Sequence, residues 1–279
     1  MAELRIGADE HRDAFCRSFV ETHEPYEPAE IDWPALDDGS LARLRGLPFW
    51  GEALRSERTA AARVQAMADQ ETDPVIREAV ALQGYEEARH AALLDRLLAT
   101  YDIPHPEESR AVPRDPEWGF LRMGYGECFD SFFAFGLFHI AATTGFFPAP
   151  LVKVFDGVMQ EEARHILFFS NWAAHRQVKL PVAQRPWFLV RRGLGVVLQA
   201  VGRLKTALQL RDTDAPDDFT MQVPSDIGDV SVSRLAAICM QENERRLAPY
   251  DARLLRPKMV PTLVGLSLRF VPGSAVAQP

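Results

Sequence analysis

Cysteine is scarce in this 279-residue chain: Cys16, Cys128 and Cys239 lie far apart, which fits neither a C-x-x-C metal site nor a disulfide framework and suits a reducing compartment. An excess of basic charge is lacking as well. With 31 Lys and Arg against 39 Asp and Glu, the net charge of -8 argues against a general nucleic-acid binder, so no nucleic-acid partner is expected. The opening stretch MAELRIGADEHRDAF has charges where a signal peptide needs an apolar run, so a cytoplasmic location is expected. Few segments alternate as strands do, and no flavin or nicotinamide fingerprint is present. One run is short of charge: the 22 residues between Asp130 and Lys153 have the length of a membrane span. His139 interrupts that run, Pro148 and Pro150 break its end, and Glu127 and Asp130 adjoin its start, so it reads as a buried helix and its turn.

What the chain has in abundance is helical periodicity. Asp73-Pro74 is a cap-then-proline start, and Ile76, Val80, Glu87, Ala91, Leu94 and Leu98 then keep to one face until Pro104. Upstream, a helix is expected from after Ser40 to a turn near residues 69–73, kinked at Pro48. Downstream, helices are expected over about Pro116–Thr144 and Leu151–Gln177, separated by GFFPAP. Two helical hairpins joined by a proline-rich connection at 102–116 predict an all-α, antiparallel four-helix bundle over about 40–177. Residues 178–279 look like appended helices, at about 186–208 and 231–255, with a polar loop DTDAPDDFT and a loose tail; no separate core is evident, so 1–279 is expected to be a single domain.

The chain writes Glu-Glu-Ala-Arg-His twice. Glu86, Glu87, Arg89 and His90 recur 75 positions later as Glu161, Glu162, Arg164 and His165. Residues three apart share a helix face, so Glu87 with His90, and Glu162 with His165, can each aim a carboxylate and an imidazole at one place. On a helical wheel Ile76, Val80, Leu94 and Leu98 fall within about 20 degrees of Glu87, and Glu162 is centred likewise among Leu151, Phe155, Val158, Ile166, Phe169 and Ala173. Facing carboxylates at the middle of apolar faces demand a cation between them. Two Glu-x-x-His helices plus a carboxylate from each of the other two make a two-metal ligand set. On the first helix Glu57 is centred among Trp50, Ala61, Val64 and Ala68, whereas Glu52 lies on the opposite side, so Glu57 is expected as ligand with Glu52 as the alternative. On the third, Glu127 is preferred to Asp130, which shares its face.

At these residues the chain resembles the ferritin-like di-iron carboxylate oxygenases and oxidases, including the desaturases, multicomponent monooxygenase hydroxylases and arylamine N-oxygenases. The resemblance covers about residues 45–177 and rests on the twin Glu-Glu-x-Arg-His motifs. It implies two iron ions, with manganese in one position an alternative, held by Glu57, Glu87, His90, Glu127, Glu162 and His165. It implies that Glu86 orients His165 and Glu161 orients His90, with Arg89 and Arg164 pairing those carboxylates. It also sets Glu127, with Ser131 one turn on, at the oxygen-binding side as candidate catalytic residues.

The implied activity is that of a non-haem di-iron oxidoreductase that uses O2 to hydroxylate, desaturate or N-oxygenate an apolar or aromatic molecule, free or carrier-bound. Seven phenylalanines between residues 129 and 147 suit a dry cavity for such a substrate. Electrons would come from an external reductase or ferredoxin. No acidic residue occurs from Ala163 to Arg211, where nine basic ones do; this segment could receive an acyl carrier protein, an acidic redox partner or a membrane surface, and a homodimer is compatible with it. The competing expectations are an iron-handling protein, ferroxidase or storage, and a structural bundle without metal.

Overall fold

The computed structural model describes residues 4–47, 49–104, 114–212 and 231–269. Nine α-helices and no strand occur among these residues: α1 Asp9–Glu21, α2 Asp38–Gly46, α3 Trp50–Gln70, α4 Pro74–Thr100, α5 Pro116–Thr143, α6 Ala149–Lys179, α7 Arg185–Asp212, α8 Val232–Leu247 and α9 Met259–Leu268. The starts follow local chemistry. Asp73 accepts hydrogen bonds from the Val75 and Ile76 amides ahead of Pro74, and Asp115 accepts from Trp118 N–H ahead of Pro116, so both long inner helices begin with a side-chain cap and a pre-set proline.

The three residues between α3 and α4 leave no room except for an antiparallel return, and Gly145, at φ 69°, helps turn α5 into α6. α3 packs on α4 and α5, and α5 on α6. Two glycines permit close approaches. A Cβ on Gly124 would fall 2.2 Å from the Phe169 ring of α6, and one on Gly136 would fall 2.3 Å from Cys239 Sγ of α8. The buried apolar side chains form two clusters. One joins Phe15 and Phe19 of α1, Val64 and Val80, Phe120, Phe169 and Trp172, and reaches Cys239, Leu247 and Val260; the other gathers Leu44, Trp50, Leu54, Leu94, Leu98 and Leu151. Glu87 and His90 lie between them along α4, where the apolar stripe is interrupted.

Several expectations are corrected. The helix expected from Ser40 onward is two helices, because Leu47 before Pro48 takes an extended conformation (ψ 120°) that ends α2; Pro48 itself lies outside the described residues. The helix expected to reach residue 255 stops at Leu247, and α9 follows. Residues 9–21, given no element by periodicity, form α1, whose His11, Phe15, Cys16 and Phe19 are buried against α6 and α4. The expected polar loop at 212–220 falls almost wholly outside the described residues, as do residues 270–279 of the tail and most of the proline-rich connection.

No helix of the described residues is long and apolar enough to cross a membrane. The basic segment after Ala163 finds its counter-charges on other helices: Lys179 bonds Asp9, Arg176 and Arg191 bond Glu117, and Arg203 bonds Asp130. Outward on α7, Trp187, Val190, Leu194, Val197 and Val201 remain exposed.

Candidate metal centre

The second turn of each copy of the repeat meets the other across the α4–α6 contact. The Nε2 atom of His165 lies 2.9 Å from Glu86 Oε2, and the Nε2 atom of His90 lies 2.7 Å from Glu161 Oε2. Arg164 donates to the other oxygen of Glu86, and Arg89 to the other oxygen of Glu161. Each motif therefore supplies the carboxylate that steadies the other motif's imidazole, and the arginine that neutralises the other motif's carboxylate. All six side chains are buried, Glu86 and His165 completely. Although burial pushes its carboxyl up, the His165 imidazole and the Arg164 guanidinium prevail and hold Glu86 at about 2.

With Nε2 fixed, both imidazoles aim Nδ1 inward. His165 Nδ1 stands 3.0 Å from Glu87 Oε1, while His90 Nδ1 stands 3.3 Å from Glu162 Oε1 and 3.5 Å from Glu57 Oε2. Ligand atoms of Glu57, Glu87, His90 and Glu162 all lie within 4.8 Å of one another, as do those of Glu87, Glu127 and His165. Glu87 belongs to both groups. Ser131 Oγ donates to Glu162 at 3.2 Å, and Gln83 Nε2 lies 3.4 Å from both Glu87 Oε1 and Glu127 Oε2.

This concentration of negative charge is felt by every member. Burial, and then the charges of Glu87 and Glu162, push the Glu127 carboxyl well above the usual carboxylate range; burial lifts Glu57 to about 7 although His90 opposes it. Burial alone would lower the two imidazoles, but the bond of His90 to Glu161 with the nearby carboxylates of Glu162 and Glu57, and the Glu87 charge with the bond of Glu86 to His165, keep both well above the ordinary histidine value. Nδ1 of both histidines and Oε1 of Glu127 are buried without a hydrogen-bond partner among the described residues. Unpartnered buried nitrogens and oxygens converging on one point are what a cation would satisfy. The donor set fits a metal ion: carboxylates and imidazoles, with each imidazole's far nitrogen held by a carboxylate.

Comparison of the chain with protein-family models, curated proteins and solved structures found no match.

Of the residues singled out by sequence, Glu57, Glu87, His90, Glu127, Glu162, His165 and Ser131 are brought together. Glu52 is not: it is exposed and pairs with Arg55. Nor is Asp130, whose carboxylate turns outward to Arg203. His139, expected about 18 Å along α5 from the centre, pairs with Glu242 of α8 at 3.1 Å.

Two partners escaped the sequence reading. Gln83 lies one turn before Glu87 on the same apolar face and could have been found by asking which other polar residue interrupts that stripe. His23, in the turn after α1, hydrogen-bonds Glu86 through Nδ1 and follows no periodic signal. A third convergence, His23 with Glu86 and Glu161, also falls within 4.8 Å, but Arg164 and Arg89 already supply its positive charge.

Over the centre, between α3 and α5, opens a cavity of about 1190 Å³. Glu57, Glu127 and Glu162, only partly buried, form its floor, and Trp50, Leu137, Phe138, Phe147 and Phe155 line one end. Of the seven phenylalanines between 129 and 147, Phe138, Phe146 and Phe147 line the cavity, Phe129, Phe132 and Phe135 pack into the core, and Phe133 is exposed.

Proposed function

We propose that the chain is a ferritin-like di-iron carboxylate oxidase or oxygenase, its α3 to α6 forming an antiparallel four-helix bundle around two iron ions, and that it acts on an apolar organic substrate held in the cavity between α3 and α5. The observation that carries this reading is the reciprocal α4–α6 arrangement beside a large, mostly apolar cavity. Glu57 and Glu127 would each hold one ion, Glu87 and Glu162 would be shared or chelating, and His90 and His165 would ligate through Nδ1. Iron, when bound, supplies the reduction of O2 and the oxidising power.

The chain's own residues do the rest. Glu86 and Glu161 fix which imidazole nitrogen carries the proton and leave Nδ1 free to ligate. Gln83 hydrogen-bonds both Glu87 and Glu127, and Ser131 hydrogen-bonds Glu162, which steadies the three carboxylates and leaves Glu127 Oε1 free. Phe138, Phe147 and Phe155 exclude water from the space over the floor, which lowers the local dielectric and confines a reactive centre to the substrate. No residue pattern for a flavin or nicotinamide occurs, so an external electron donor is part of the proposal.

Metal analysis of the purified chain after growth with iron is the direct test. Two iron ions per chain are expected, lost together in Glu87→Ala and in His165→Ala; a wild-type chain that takes up no metal overturns the reading. Substrate-dependent O2 consumption with a chemical reductant then separates an oxygenase from an iron-handling protein, which would consume O2 with ferrous iron alone and accumulate ferric mineral.

A further inference from the structure

The two sides of α7 differ in kind. Its inner side is tied to α5: Phe188 is buried, Gln199 donates to the Arg122 carbonyl at 2.6 Å, and Arg192 donates to the Tyr125 hydroxyl. At Gly195 a Cβ would fall 2.9 Å from the Tyr125 ring. Its arginines are engaged there too, Arg191 with Asp115 and Glu117, and Arg203 with Asp130. The outer side is an uncharged stripe. Trp187, Val190, Leu194, Val197 and Val201 follow one another at alternating steps of three and four residues, and each is 42–65% exposed among the described residues. The sequence carries the same steps on to Leu204 and Leu208. Such spacing is the seam along which one α-helix packs on another. A helix lying on a bilayer would instead turn its arginines outward beside the apolar face, towards the headgroups. With Leu198 the stripe exposes on the order of 600 Å² of mostly apolar surface, so two copies would bury on the order of 1200 Å², above the roughly 1000 Å² of a specific interface.

We propose that this stripe joins two copies of the chain, α7 against α7, antiparallel and about a two-fold axis level with Gly195 and Val196. In that register the stripe is its own complement, as a two-fold interface requires. Leu194 comes level with Val197 of the partner subunit, and Val190 with Val201 of the partner subunit. At the flanks a large side chain meets a small one. Gly193, where an added Cβ would meet nothing within 4 Å, leaves room for Leu198 of the partner subunit, and Ala200 comes level with Arg191 of the partner subunit. A parallel pair would set each Arg191 level with its own copy and align the two helix dipoles, so the antiparallel arrangement is favoured. Gln199 and Arg203 also line the cavity, so pairing along the outer side of α7 steadies one of the cavity walls. The pairing needs neither metal nor substrate.

Sedimentation velocity of the full chain at micromolar concentration is the first test, and a dimer is expected. Leu194→Glu combined with Val197→Glu should raise the dissociation constant about a hundredfold or more, with circular dichroism unchanged because both side chains are exposed. Cross-linking tests the register. The three native cysteines are buried, so chains with Val190→Cys and chains with Val201→Cys, mixed and oxidised, should yield a disulfide-linked dimer of one with the other. Neither should link to itself, because eleven residues put its copy about 16 Å away along the axis. Self-linking of each variant overturns the antiparallel arrangement, and a dimer indifferent to the double glutamate variant overturns the seam. A wild-type chain that stays monomeric overturns the proposal outright. If that monomer sediments with vesicles of phosphatidylcholine and phosphatidylglycerol in equal parts, the stripe serves a bilayer; if it does not, another segment of the chain covers it.

Discussion

The back of the centre, where α4 meets α6 under α1, and its front, where α3 and α5 part around the cavity, are built from the same residue types to opposite effect. At the back every charge has its complement: Arg89 with Glu161 and Arg164 with Glu86, all four buried, and the partly exposed His23 closing on Glu86. At the front, carboxylates outnumber the two imidazoles beside them, and Glu127 keeps a free oxygen. Saturation fixes geometry, whereas an unmet valence at a cavity marks where something else must bind. The centre thus has a rigid side that positions it and an unsatisfied side that receives.

The largest effect should come from breaking the back. Arg164→Met leaves Glu86 buried without its guanidinium and should cost about 3–5 kcal/mol in urea-induced unfolding. If instead the variant unfolds like the wild type, the neutralising role assigned to Arg164 is wrong. His23→Ala removes one bond to Glu86 and keeps the ion pair, so a loss of about 1–3 kcal/mol is expected, with metal content retained. A value as large as that of Arg164→Met would mean that the turn after α1, not the arginine, holds the back together.

A subtler probe concerns His11 of α1 and His175 of α6, whose rings lie 5.9 Å apart at a tilt of 31°. Burial, and then the neighbouring His11 and Lys179, hold His175 down at about 4, against 6.5 for a free imidazole. The folded state binds the proton less readily than the unfolded one, so stability is full above about 6.5 and declines as pH falls towards about 4. Urea midpoints measured at pH 7 and pH 5 should differ less in His175→Gln than in the wild type; identical differences would sink the assignment.

The smallest effect is expected at the front surface. Asp130→Asn removes an exposed partner of Arg203 and should change stability by at most about 0.5 kcal/mol without altering metal content. Loss of metal in that variant would exchange the roles given to Glu127 and Asp130.

Much of this contrast was legible in the residues. The apolar face of α4 and the repeat in α6 placed Glu87, His90, Glu162 and His165 because 3.6-residue periodicity is a property of a single segment and needs no partner to be read. The choice of Glu57 over Glu52 followed from the same wheel. The cavity at the front was not legible, because it depends on side chains from distant segments leaving space between them: Trp50 and Phe147, which both line it, are 97 positions apart. The part of the back supplied by the first 30 residues was equally hidden. His23 lies in a turn, and the carbonyls of Phe19 and Glu24, which accept from Arg164 and Arg89, are backbone groups that no side-chain pattern announces.

Those two carbonyls carry a consequence for the order of assembly. Before α1 docks, the ion pairs between α4 and α6 face water and contribute little; once it docks, Phe19 and Tyr26 cover the two guanidiniums and the same pairs become dry. Residues outside the candidate metal centre thereby set the moment at which that centre stiffens. Amide exchange in the middle of α4 and α6 should then report the detachment of α1 rather than the melting of the helices themselves.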